Sequence, residues 1–382
     1  MRKLLVSISL LIPAALWGAE KEFVIANEST HATEARVIAL DAGVGARFAV
    51  EGPDGKHVPA WYDKKTKKVL VLSSVPAGGG VFKVLDGTPS RARNPIWGRP
   101  VTRKEGAVRL GKVVPRVSGS FDNNFLTVSV PADERVHGRV IIKSRNSDYK
   151  LELSPLGSSI GCVETEELGK KADESYRKGA KTNDDLFAIL PSIATEIELS
   201  APNPFQRRML VKCYAWARKN NGRSLDLFRE CGFEITLTWR SPVVKIRSWR
   251  HQDKTYWNHN GVMLNEIYID RQPVFIQADG EEKPTERLLQ GPALIIPFKQ
   301  SLRLADKTGD TIVCQPDFKR LGIYRECVAL SKNRLVTILS QSWGEGWKAI
   351  EIKAGTYEDT LTLACNVGKS NKSLKQWAAE LE

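Results

Sequence analysis

From Phe23 onward the chain is written in short runs that alternate apolar and polar residues, separated by Gly, Pro, Asn and Asp. KKVLVLSSV, FLTVSV, FEITLTW, PVVKIRSW and DTLTLACNV are examples. A period of two places one set of side chains on each face of a strand, so each run reads as a half-buried β-strand. Strands do not alternate with helical segments, which disfavours a parallel α/β fold. No repeat of 20 to 50 residues is visible, which disfavours a propeller or solenoid. The pattern predicts an all-β protein built as antiparallel sandwiches.

More than a dozen such runs in 382 residues exceed one simple sandwich. A compact β unit is expected over 20–87, with the turn signal Pro53-Asp54-Gly55 and a tight Gly78-Gly79-Gly80 loop. That loop is no phosphate cradle, because no Gly-Lys-Ser/Thr follows. The segment 88–100, TPSRARNPIWGRP, reads as a linker. A large antiparallel sandwich is expected over 101–368. Glu164 to Asp185 breaks the alternation and reads as a helix or an excursion. At the end, 369–382, Ser373 can cap a short helix whose Leu374, Trp377, Ala378 and Leu381 share a face.

The first 19 residues, MRKLLVSISLLIPAALWGA, have a basic start, an apolar core and small residues after it. This is the pattern of a signal peptide, and it predicts a secreted or periplasmic protein with no membrane segment after cleavage. The formal charge is +13. Without Arg2 and Lys3, 55 basic residues stand against 44 acidic ones. A basic exported chain suits acidic polysaccharide better than nucleic acid, which an export signal argues against. The six cysteines include no C-x-x-C pair, so a zinc knuckle or redox motif is not indicated. Cys213 with Cys231, and Cys314 with Cys327, are spaced to face across hairpins, as disulfides or as buried thiols.

The densest chemistry lies at Trp249–Gly261, WRHQDKTYWNHNG, with three aromatics, two of the five histidines, two asparagines, Arg250 and Lys254. In the strand before it, Arg247, Trp249 and His251 fall on one face and Ser248 and Arg250 on the other. Trp239 and Arg240 precede it in a turn. Indole faces stack on sugar rings, and guanidinium groups pair with carboxylate or sulfate.

The opening of the chain resembles the galactose-mutarotase-like β-supersandwich group of carbohydrate-active proteins and related secreted lyases and hydrolases. The features in common are VIANEST with ARVIAL, then DGKHVPAWYD, then KKVLVLSSVPAGGGVFKVLDG, and later FEITLTWRSPVVKIRSWRHQ followed by NEIYID. The resemblance implies a supersandwich main domain whose loops face a saccharide. It brings no diagnostic catalytic motif, and fold alone does not name a reaction.

Read on the residues, the cluster fits cleavage of a uronic acid chain by β-elimination. Such a reaction needs a group to neutralise the carboxylate, a base for the C5 proton and an acid for the leaving oxygen. Arg250, His251, Tyr256 and His259 are the candidate catalytic groups; Trp239, Arg240, Arg247, Trp249, Trp257, Asn258 and Asn260 are candidate substrate contacts. No metal or other cofactor is required, although a divalent cation serves some lyases. Tyr256 and Trp257 can equally anchor a loop, and His259 in Asn-His-Asn-Gly can be a turn residue. A glycoside hydrolase would need facing carboxylates, for which Asp253, Glu266 and Asp270 are available. His259 with Glu266 would suit a sugar epimerase. A glycan-binding protein without catalysis would use the same basic, aromatic face. Trp343, Glu345 and Trp347 read first as a tight hairpin.

Overall fold

The computed structural model describes residues 20–109, 113–131, 139–155, 162–163, 165–178, 188–189, 193–218, 224–258, 265–269, 273–283, 294–298, 301–305, 311–317, 326–331, 334–339, 350–368 and 372–381. The signal-like residues 1–19 lie outside them. The fold is all-β and antiparallel, with two short helices.

The first body is two three-stranded sheets face to face. One contains Glu20–Ile25, Gly80–Asp86 and Phe48–Glu51; the other contains Arg36–Leu40, Lys68–Ser73 and Ala60–Asp63. Their inward residues, among them Phe23, Leu40, Val50, Val69, Val71, Phe82 and Val84, form one buried cluster. The triple-glycine loop is a close approach of backbone to backbone. A Cβ on Gly79 would lie 2.7 Å from the Ile25 carbonyl oxygen, and its φ is +98°.

The second body is a sandwich of a nine-stranded and a ten-stranded sheet. Leu126, Val128, Ile142, Leu151 and Leu153 on the first sheet meet Met209, Val211, Phe233, Ile235, Ile246 and Leu361 on the second, in a single buried cluster. The strand Leu126–Val130 shows the rule plainly: Leu126, Val128 and Val130 are buried, while Thr127 and Ser129 are not. In the ten-stranded sheet Gln206–Arg218, Ser224–Thr238, Val243–Gln252 and Gly355–Ala364 are successive neighbours.

The break at Glu164 contains the helix Glu166–Arg177, started by Thr165, whose Oγ1 accepts from Leu168 N at 3.3 Å. The C-terminal helix Leu374–Leu381 begins with a reciprocal cap: Gln376 N donates to Ser373 Oγ at 3.3 Å, and Ser373 N donates to Gln376 Oε1 at 2.6 Å. Leu374 and Trp377 are buried, packed beside Ala364.

This helix fastens the second body to the first. The Glu380 carboxylate accepts from Glu34 N and from Lys372 Nζ, the latter at 2.7 Å. Lys372 also stands 3.5 Å from the Glu34 carboxylate and lies over the Trp377 ring at 4.2 Å. Lys372 is only 7% exposed. Removing one partner of a buried ion pair strands the other. Lys372→Ala is therefore expected to cost about 3 kcal/mol in urea denaturation; a loss below about 1 kcal/mol would show that water already shields the pair.

Candidate functional site

The strand Ser224–Thr238 turns into Val243–Gln252 through Trp239 and Arg240. Ser241 N donates to the Thr238 carbonyl at 3.2 Å, closing a four-residue turn with that pair at its tip. Arg240 has φ +53°, in the left-handed region. Beneath the turn sits Asn123, fully buried. Its Nδ2 donates to Thr238 O at 2.6 Å and Ser241 O at 2.8 Å. Its Oδ1 accepts from Phe125 N at 2.9 Å and Leu126 N at 2.7 Å. Its backbone carbonyl accepts from Arg240 N at 2.8 Å. One amide thus joins the hairpin of one sheet to the turn of the other.

The arginine-rich segment 88–100 folds back over this turn. Trp97 Nε1 donates to Pro204 O at 2.8 Å, which fixes its ring against Trp239. The two ring centroids are 5.1 Å apart at 61°, an edge-to-face pair. Arg207 lies over Trp97 at 5.6 Å and Arg240 over Trp239 at 6.0 Å. Beside them opens a cleft of about 550 Å³. Its walls come from Ala35, Pro59 and Leu72 of the first body, Arg93 to Ile96 of the linker, and Asn124, Trp239 and Arg240 of the second. Ile96 on its rim is 82% exposed.

The sequence reading named Trp239 and Arg240 but missed Trp97, Arg93, Arg207 and Asn124. A tryptophan inside a Pro- and Arg-rich linker was the available signal, since an indole that large has to find a surface to cover it.

The remaining candidates do not gather there. The strand Val243–Gln252 spans roughly 30 Å at about 3.3 Å per residue, with the Trp239–Arg240 turn at one end and His251 at the other. Arg247, Trp249 and His251 share its half-exposed face, and Ser248 and Arg250 its buried face, as the alternation requires. Arg247 lies over the Trp249 ring at 5.5 Å, and its Nη2 and Nε donate to the Glu358 carboxylate at 2.6 Å and 3.2 Å. The His251 ring bonds through Nδ1 to Thr356 Oγ1 at 2.8 Å, and its Nε2 stands 3.3 Å from Asp253 Oδ1.

Two candidates are buried. Arg250 is 2% exposed, opposite Cys231 in the ladder, with its guanidinium over the Tyr357 ring at 5.1 Å. Tyr256 is 5% exposed and belongs to the sandwich core. Both side chains are withdrawn from solvent. Trp257 is half-buried on a small sheet, opposite Val163 and Glu351; Asn258 pairs there with Cys162 and Ile350 through its backbone. His259 and Asn260 lie outside the described residues, as do Asp270, Trp343, Glu345 and Trp347. Glu266 is placed on the strand Asn265–Ile269 by its backbone.

Cys213 and Cys231 do face each other in the ladder, as buried thiols. Cys231 Sγ donates to the Cys213 carbonyl at 3.2 Å. Burial, with Cys213 beside it, holds the Cys231 thiol well above the ordinary range, and Arg250 offsets only part of this. Burial pushes the Cys365 thiol up to about 12. Cys314 and Cys327 stand in different sheets, which corrects the expectation that they face across a hairpin. Among the described residues no group of three His, Cys, Asp or Glu side chains is placed to hold a metal ion. None of the described helices is long and apolar enough to cross a membrane.

No family model and no curated protein matches the chain. Solved structures do resemble it. An α-mannosidase from Enterococcus faecalis V583 aligns with 95% of this chain at 12% identity and a TM-score of 0.47. A protein in glycosyl hydrolase family 38 from Enterococcus faecalis aligns with 94% of it at 11% identity and a TM-score of 0.46. This chain spans 45% and 46% of those two chains. A galactose mutarotase related enzyme from Lactobacillus acidophilus aligns with 66% of this chain and 98% of its own, at 10% identity and a TM-score of 0.34. At such identities and scores the likenesses say nothing about activity.

Proposed function

We propose that the chain recognises an acidic oligosaccharide in the cleft beside Trp97 and Trp239. The observation that carries this is a tryptophan and two guanidinium groups in the wall of one opening, Trp239 with Arg240 over its ring and Arg93, backed by Trp97 packed against Trp239 with Arg207 over it. Indole faces take the apolar face of a sugar ring, and guanidinium forks take its carboxylate or sulfate. A volume near 550 Å³ falls within the usual range of small-ligand clefts. The formal charge of +13 favours encounter with a polyanion. The test is calorimetric titration with polygalacturonate, alginate and a neutral galactan. Tighter binding to the two uronate polymers than to the galactan supports the reading; equal binding to all three, or to none, removes it.

A second reading, β-elimination by a polysaccharide lyase, is favoured by His251, whose imidazole is half-exposed between Thr356 and Asp253. A carboxylate beside one nitrogen orients a general base. Against this reading, Tyr256, the acid that the sequence suggested, is 5% exposed. Incubation with the same polymers separates the outcomes: a lyase creates an unsaturated, ultraviolet-absorbing end, a hydrolase yields reducing ends without it, and a binder yields neither. Elimination that survives His251→Ala would remove His251 from the mechanism. The proposal includes export by residues 1–19, which N-terminal sequencing of the mature protein checks.

A further inference from the structure

We propose that Arg240 determines specificity in the cleft, selecting anionic over neutral saccharides, and that the turn holds it against the backbone's own preference. This inference rests on the saccharide reading given above. At φ +53°, position 240 suits Gly or Asn, which enter the left-handed region with little strain. An arginine there works against the turn, and such an outlier persists only where the surroundings over-determine it. They do so here. Arg240 N is bound by the Asn123 carbonyl, and the Asn123 amide ties the residues on either side of the Trp239–Arg240 pair, Thr238 and Ser241.

What the turn gains is the position of a guanidinium. The Arg240 side chain is exposed, lines the cleft and lies over Trp239. Other cations nearby are differently committed. Arg145 donates to Asn124 Oδ1 at 2.7 Å and to Asp122 Oδ1 at 3.3 Å, so its charge is answered. Among the described residues no carboxylate pairs with Arg93, Arg207 or Arg240. Arg93 and Arg240 line the same cleft, and like charges there without a counter-charge raise the local potential, which a bound anion relieves. Of the three, Arg240 is the one that lines the cleft on a backbone held by the hydrogen bonds of its turn, beside the indole against which a sugar ring would lie.

The test exploits two effects of opposite sign. Arg240→Gly removes both the guanidinium and the strain. Its melting temperature is expected to equal or exceed that of the unaltered chain. Its affinity for an oligogalacturonate is expected to fall about tenfold or more, the loss of one charge-assisted pair. Its affinity for the neutral galacto-oligosaccharide of the same length should change less than about twofold, within the scatter of a surface substitution. Arg240→Lys keeps the charge without the fork and should fall between them for the uronate. Uronate affinity unchanged in Arg240→Gly overturns the assignment. So does an equal loss for both sugars, which would mark Arg240 as a packing residue. If the unaltered chain binds neither sugar, the saccharide reading fails and this inference with it. If it binds the uronate and Arg240→Gly binds equally well, this inference alone fails.

Discussion

Asn123→Ala is expected to remove about 4 kcal/mol or more of stability and to dismantle the Trp239–Arg240 turn. The side chain is fully buried and makes four hydrogen bonds, two donated and two accepted. Alanine leaves two carbonyls and two amides without those partners. Each buried polar group so stranded costs about 1–3 kcal/mol, reduced where water can enter. The backbone bonds that remain, from Arg240 N to the Asn123 carbonyl, from Trp239 N to the Phe205 carbonyl and from Ser241 N to the Thr238 carbonyl, do not replace the four that the side chain supplies. Asn123→Asp is no rescue, since it turns a carboxylate oxygen toward the Thr238 and Ser241 carbonyls. Urea denaturation measures the loss, and near-ultraviolet circular dichroism reports the separation of the Trp97–Trp239 pair. A loss under about 1 kcal/mol would mean that the two sheets do not depend on this amide.

Gly232→Ala is expected to be severe as well, for a steric reason. Gly232 sits in the ten-stranded sheet between Lys212 on one side and Trp249 on the other. A Cβ there would collide with the Val211 carbonyl oxygen and lie 3.1 Å from the Trp249 ring. The first of these atoms is backbone, held by the ladder, so it cannot swing away. The strands must part or shift register, at a cost above about 3 kcal/mol. Gly43→Ala serves as the control, because a Cβ at that position meets nothing within 4 Å. Thermal unfolding of the two variants side by side checks the contrast. Equal melting points would show that the sheet is looser at Gly232 than its contacts imply.

These positions show what a sequence can and cannot disclose. Alternation identified the strands because burial in a two-sheet sandwich imposes a period of two. It also placed Arg247, Trp249 and His251 opposite Ser248 and Arg250. It could not say which face is the interior. A cation ordinarily marks the wet face, and Arg250 reverses this by lying over Tyr357 inside the sandwich. The cap at Ser373 was legible because helix starts are local chemistry. The cleft was not, because Trp97 and Trp239 are brought together by a linker that folds back between two bodies. No local rule predicts that return. The same limit explains Cys314 and Cys327, whose short separation in sequence suggested a hairpin while the chain crosses from one sheet to the other.

The cleft itself is tested most directly by isothermal titration of the full chain with an oligogalacturonate, with Trp239→Ala beside it. The account expects saturable binding at a single site, weakened about tenfold or more by the loss of the stacking ring and fading as salt is raised. Binding that is undiminished in Trp239→Ala, or indifferent to salt, would contradict it.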